Sequence, residues 1–246
     1  MASISIYKDG REIYRRAIGY ENIGHNIQAT TDTRYRIGSV TKTFTAAIIM
    51  QLIEENMLDI NTRLYEFYQE IPHAEEITIE DLLRHKSGLT DKKYLKWKYY
   101  DKSFSLDRKP EYANVNYVLL AEIAEKLEHK PFAELLHNRI TKVCGLENTF
   151  YGNAKVSPVE HEASSYRNTG NVMLVEPSDL SQPHGAGGII STPADVNRFF
   201  HCLFSGTLIS ETTLQFMQKA DGGYGAGLMK FPYGNMEVYG HKGQID

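Results

Sequence analysis

Two side chains in this sequence stand at a spacing that permits nucleophilic chemistry: Ser39 and Lys42, in Ser39-Val40-Thr41-Lys42. In a helical segment, residues three apart share a face, so the Lys42 ammonium can reach the Ser39 hydroxyl. A helix starting at that point adds free N–H groups and partial positive charge beside the serine. Such surroundings favour an alkoxide and can hold an oxyanion. The pattern alone is weak, because a helix cap followed by a surface lysine gives the same string. Its setting adds weight. Residues 41–56 carry Phe44, Ala46, Ala47, Ile48, Ile49, Met50, Leu52 and Ile53, apolar on nearly all sides, which predicts a buried helix. A lysine that opens a buried helix needs a partner, and Ser39 is available.

A tyrosine is the next candidate. Tyr-x-Asn occurs at Tyr20, Tyr112, Tyr151, Tyr166 and Tyr233. Only Tyr112-Ala113-Asn114 immediately precedes a strongly periodic helix, read over 116–129 from Val118, Leu119, Ala121, Ile123, Ala124 and Leu127. A tyrosine serves as general base only when nearby cations lower its pKa from about ten, and Lys42 is one such cation. The other four read as turn residues. A third element is His241-Lys242-Gly243. Glycine lets a substrate approach the strand backbone, and His241 can donate to a carboxylate or to Tyr112. A surface turn is the competing reading of that tripeptide.

The elements that must position these residues are legible in outline. Residues 2–7 alternate and meet Ile13 across Lys8-Asp9-Gly10, a hairpin signal. Thr78, with Asp81 three residues on, caps a helix over 79–85 that Ser87-Gly88 ends. Residues 131–140 continue the helical tendency. Thr192-Pro193 opens a helix through Phe204, and 225–243 read as strands. Strands at both ends with helices between predict an α/β platform carrying an inserted helical lobe.

Composition narrows the function classes. The chain has 246 residues, and its net charge of −4 gives no electrostatic reason to expect nucleic acid as a partner. Lysines and aromatics interleave over 92–102; a solvated face or a cleft lining accounts for them better than a nucleic-acid patch. Cys144 and Cys202 read as buried small hydrophobes. No apolar run approaches the ~20 residues of a membrane span, and no signal-peptide pattern opens the chain. The nine histidines include no pair three or four apart, so neither a metal nor another cofactor is expected. There is no Gly-x-Ser-x-Gly elbow.

Taken in order, the blocks resemble the serine β-lactamase-related family, which includes β-lactamases, D-alanyl-D-alanine carboxypeptidases, D-aminopeptidases and esterases. Arg36-Ile37-Gly38-Ser39-Val40-Thr41-Lys42 is similar to its nucleophile segment. The stretch from Ile77 through Leu82-Leu83-Arg84-His85-Lys86-Ser87-Gly88-Leu89 resembles its second signature, and Tyr112-Ala113-Asn114 its third block. Cys144-Gly145-Leu146, Gly187-Gly188-Ile189-Ile190-Ser191-Thr192 and Tyr239-Gly240-His241-Lys242-Gly243 follow in family order.

The resemblance implies an α/β (α+β) β-lactamase/transpeptidase-like fold, an antiparallel sheet flanked by helices. It implies one catalytic domain over 1–246, with an α/β subdomain of about 1–65 plus 187–246 and a helical lobe of about 66–186. It further implies that Ser39 is acylated by an amide or ester, that Lys42 and Tyr112 handle its proton, and that Asn114 orients the substrate. His241, Gly243 and Gln244 would contact substrate, the N–H groups of Ser39 and Gln244 forming the oxyanion hole. D-Ala-D-Ala-type peptides, small esters and β-lactams are the substrate classes implied. A slowly acylated penicillin-binding sensor and an inert fragment are the alternatives. Members are usually extracytoplasmic. His241 stands where the β-lactamases have lysine, which favours ester or peptide turnover over β-lactam hydrolysis. Relatives continue with two strands and a helix after the last block, so the reading expects a gap in the sheet.

Overall fold

The computed structural model describes residues 1–91, 109–152 and 161–245. The stretch 92–102 therefore lies outside the described residues. Strands β1 (Ala2–Lys8) and β2 (Arg11–Ile18) form the expected hairpin. Asp9 and Gly10 both take positive φ, 51° and 72°, the turn whose twist matches that of paired strands. Strands β3 (Tyr20–Asn22) and β4 (Ile27–Gln28) make a small second hairpin, and β5 (Tyr35–Arg36) leads into the nucleophile segment.

A 3₁₀ turn, Gly38–Val40, carries Ser39 directly into helix α1 (Thr41–Glu54). Every residue of α1 from Thr41 to Met50 is buried, as its all-round apolar pattern requires. Helix α2 (Ile79–Leu83) has the predicted capping box: Thr78 Oγ1 accepts from Asp81 N at 3.1 Å, and Asp81 Oδ2 accepts from Thr78 N at 3.0 Å. It ends before the predicted 85, because His85 turns into the left-handed region at φ 57°. Helix α3 (Asn114–Glu128) starts two residues ahead of the predicted 116. The apolar period begins only at Val118, but a carboxylate from outside the helix caps the earlier turn. Helix α4 (Phe132–Leu136) passes through a π turn (His137–Thr141) into α5 (Lys142–Cys144), extending the helix read over 131–140.

The remaining elements are β6 (Phe150–Tyr151), β7 (Tyr166–Asn168), β8 (Val172–Leu174), α6 (His184–Gly187), β9 (Ile189–Ser191), α7 (Pro193–Phe204), α8 (Glu211–Gln218), β10 (Met229–Tyr233) and β11 (Met236–Gly240). Thr192 caps α7 through Asp195 N, with Pro193 in the first turn. Helix α8, capped by Ser210, was not expected, since its apolar stripe is short.

One contiguous core links α1, α3 and α7, with the Phe44 and Phe199 rings stacked at 3.6 Å. Wholly buried β9 is the middle strand of an antiparallel β5-β9-β6 ladder. The β1-β2 hairpin lies on α7, where Asn197 Nδ2 donates to Ser5 O at 2.9 Å. Among the described residues it is not hydrogen-bonded to the β10-β11 hairpin, and Ile4, Ile6, Ile13, Phe231 and Val238 are exposed. Cys144 and Cys202 are free and buried. Burial, and then the neighbouring Cys202 thiol, push the Cys144 thiol up. Among the described residues no helix is long and apolar enough to cross a membrane.

Candidate active site

The first turn of α1 brings Lys42 back toward Ser39, with Nζ 3.1 Å from Oγ. Lys42 is 0 % exposed, and two further acceptors hold its Nζ: Asn114 Oδ1 at 2.7 Å and the Ala186 carbonyl at 2.8 Å. An isolated buried ammonium is costly. Burial lowers the Lys42 pKa to about 7, against an opposing contribution from Asp91. At neutral pH a large share of this lysine is therefore a free amine.

Tyr112 lies beside both Ser39 and Lys42. Its hydroxyl is hydrogen-bonded to Ser39, and Lys42 Nζ stands 4.9 Å from its ring centroid. The expectation that a neighbouring cation lowers its pKa is not met. Burial pushes the phenol up to about 12, the bond to Ser39 only partly offsetting it. Tyr112 is thus a protonated hydroxyl at neutral pH.

The block from His85 to Ser87 explains how this region is braced. His85 Nδ1 faces two donors, Ala113 N at 3.3 Å and Asn116 Nδ2 at 3.0 Å, so its proton sits on Nε2. Ser87 Oγ donates to Asn116 Oδ1 at 2.6 Å. Both thereby tie α2's exit to the first turn of α3. The His85 ring packs against Tyr112, centroids 4.4 Å apart. Burial first, then the Lys42 and His241 charges, lower the His85 pKa to about 3.

At the third block, His241 is not arranged as expected. Its Nδ1 lies 2.6 Å from the Lys242 carbonyl, which can only accept. The neutral ring therefore presents a lone pair at Nε2, where the Tyr224 hydroxyl stands 3.2 Å away. Burial lowers the His241 pKa to about 4. Its ring centroid lies 6.3 Å from that of Tyr112. The Tyr224 hydroxyl donates to that of Tyr117 at 3.5 Å, and Tyr117 donates to the Leu83 carbonyl at 2.8 Å.

Gly243 and Gln244 run beside the nucleophile turn. A Cβ on Gly243 would overlap the Ile37 carbonyl oxygen and stand 3.2 Å from Ser39 N. One on Gly38, at φ 50°, would stand 2.8 Å from Gln244 N. Two glycines thus let the backbones of Ser39 and Gln244 face each other closely. All seven predicted residues are brought together, Asn114 with its Oδ1 already engaged.

Sequence reading missed three contributors. Asp91 accepts from the Asn114 and Val115 backbone N–H groups, at 2.9 and 3.0 Å, and from Asn114 Nδ2 at 3.0 Å. The Ala186 carbonyl and Tyr224 are the others. Asp91 was findable as an acid two residues beyond Gly88-Leu89; a carbonyl oxygen carries no such signal. Among the described residues no three His, Cys, Asp or Glu side chains group as a metal site would require.

This fold, with a serine and a buried lysine at the head of its central helix, defines a class, and the beta-lactamase family model matches residues 2–245: the chain belongs to that family. Among curated relatives, the teichoic acid D-alanine hydrolase of Staphylococcus aureus is 28 % identical over 208 residues, covering 80 % of this chain and 52 % of that protein. The chain thus spans about half the length of the curated relatives it matches. Among solved structures it is similar to the D-amino acid amidase of Ochrobactrum anthropi SV3, at TM-score 0.84 and 27 % identity, covering 99 % of this chain and 79 % of that one. It is also similar to the penicillin-binding protein homologue of Pyrococcus abyssi, at TM-score 0.82 and 27 % identity, covering 98 % and 64 %.

Proposed function

We propose that this chain is a serine hydrolase that forms an acyl-enzyme at Ser39 on an ester or amide. The observation that carries this reading is Lys42, buried, 3.1 Å from Ser39 Oγ and with its pKa brought to about 7. The Lys42 amine takes the Ser39 proton as Oγ bonds to the substrate carbonyl carbon. The resulting oxyanion lies between the N–H groups of Ser39 and Gln244, a stabilisation of about 3–4 kcal/mol per donor in comparable sites. The proton then passes from Lys42 through the Tyr112 hydroxyl to the leaving oxygen or nitrogen. Water repeats the sequence on the acyl-enzyme, releasing the acid and restoring Ser39.

The acyl group we assign is a D-amino acid, and the leaving group an uncharged alcohol or amine. The relatives named as a D-alanine hydrolase and a D-amino acid amidase support the first part. The neutral His241, its Nε2 turned to Tyr224, supports the second, because it offers no cation to a substrate carboxylate. A penicillin-binding sensor that deacylates slowly is a second reading. It is favoured by Tyr112, whose high pKa makes it a poor base for activating water.

The test compares a D-alanyl ester, D-alanine amide, a D-Ala-D-Ala peptide and nitrocefin, with fluorophosphonate labelling followed by mass spectrometry. Labelling is expected at Ser39, absent in Ser39→Ala, with ester and amide turned over faster than peptide and nitrocefin. The kcat/KM should rise with pH through about 7, as Lys42 loses its proton. A stoichiometric burst without turnover would mark the sensor. Labelling that persists in Ser39→Ala would overturn the nucleophile.

A further inference from the structure

Lys42 has three hydrogen-bond neighbours, and they are not equivalent. As an ammonium it donates to all three. As an amine it keeps two N–H groups and one lone pair. Asn114 Oδ1 and the Ala186 carbonyl can only accept, so they take both N–H groups. The lone pair is then left facing Ser39 Oγ, where a proton must be received. This assignment holds only while Asn114 turns its oxygen, and not its NH2, toward Lys42.

Asp91 enforces that orientation. Ala113, at the cap position of α3, supplies no side-chain acceptor, so the first N–H groups of the helix need one from elsewhere. The Asp91 carboxylate meets them: Oδ2 accepts from Asn114 N at 2.9 Å and Oδ1 from Val115 N at 3.0 Å. A carboxylate is also favoured there by the helix dipole. Oδ2 accepts in addition from Asn114 Nδ2 at 3.0 Å. An ionised carboxylate only accepts, so it holds the NH2 end of Asn114 and leaves Oδ1 for Lys42. We infer that Asp91 is the positioning residue of the acylation step, fixing the Asn114 amide so that the Lys42 lone pair points at Ser39.

The groups facing Lys42 allow this role to be read separately from helix capping. Tyr112 and Tyr117 present rings, at 4.9 and 5.8 Å from Nζ to centroid. Tyr112 stays protonated to about 12, while His85 and His241 are neutral above about 3 and 4. Against burial, Asp91 is the neighbour among the described residues that raises the Lys42 pKa.

The inference rests on the reading of Ser39 and Lys42 given above, and the experiment separates the two. Asp91→Asn and the exchange Asp91→Asn/Asn114→Asp are compared with wild type and with Ser210→Ala, which removes the cap of α8. In Asp91→Asn the new NH2 competes for Asn114 Oδ1. The plateau of kcat/KM per folded molecule should fall at least about tenfold, with KM little changed, and the acid limb should move to lower pH. The exchange restores an acceptor toward Lys42, and should recover much of the plateau with the limb moved to higher pH. If Asp91→Asn does not fold, the exchange, which keeps one carboxylate and one amide, supplies the same readout. An Asp91→Asn enzyme that loses only melting temperature, as Ser210→Ala should, overturns the inference. So does an exchange variant whose limb does not move. Wild type unlabelled at Ser39 overturns the underlying reading as well.

Discussion

Tyr224 stands between two neighbours, Tyr117 and His241. It donates to the Tyr117 hydroxyl at 3.5 Å, and its oxygen lies 3.2 Å from His241 Nε2, the Nδ1 of that ring being 2.6 Å from the Lys242 carbonyl. A phenol oxygen can accept from an imidazolium, so what keeps His241 neutral is the cost of burying its charge. His241→Lys would place a cation where the neutral imidazole stands. A carboxylated substrate then meets a cation. Turnover of a D-Ala-D-Ala peptide relative to D-alanine amide should rise several-fold at both pH 5.5 and pH 8, read by chromatography of released D-alanine. An unchanged ratio at both pH values would show that His241 does not govern the preference. None of this pairing is visible in the sequence, where Tyr224 lies in a glycine-rich stretch like many turn residues. Ser39 and Lys42 were legible because three residues along one helix settle their meeting. The partners of His241 and Asn114 come from distant segments and emerge only on docking.

At the scale of elements, local signals fared best. Thr78 with Asp81, Thr192 with Pro193, and Asp9 with Gly10 each fix an end or a turn through bonds within four residues. The start of α3 is different, since its cap comes from Asp91, over twenty residues away. Helix α6 is likewise silent in sequence, being four residues long, yet it delivers the Ala186 carbonyl to Lys42. It is clamped between α1 and α3: Thr45 Oγ1 donates to the Gly185 carbonyl at 2.6 Å, and a Cβ on Gly185 would overlap the Ala121 side chain and stand 2.8 Å from the Tyr117 carbonyl. Gly185→Ala must therefore push α6 outward. We expect a loss of about 1–3 kcal/mol in urea unfolding, together with slower Ser39 labelling as the Ala186 carbonyl leaves Lys42. A variant that unfolds at the wild-type urea concentration would show that this junction is loose.

For the whole molecule, the site imposes a pH dependence on folding. His85 and His241 are held neutral, with pKa values lowered to about 3 and about 4, whereas the unfolded chain titrates near 6.5. Below about 6.5 the unfolded state binds more protons, so stability is retained above that pH and lost as pH falls toward the folded values. Each histidine contributes a slope of up to about 1.4 kcal/mol per pH unit in its window. His85→Asn should flatten that slope between pH 6 and 4 in chemical denaturation, even if it lowers stability at pH 7; an unaltered slope would refute the assignment. The same assembly also has a consequence for folding kinetics. Ser39 and Gln244 are separated by about two hundred residues, yet their backbones must approach within contact across Gly38 and Gly243. Contacts so distant along the chain close late, after local helices and hairpins have formed. The Lys42 side chain can thus be in place beside Ser39 before the Gln244 backbone arrives, and the proposed site is completed last as the chain folds.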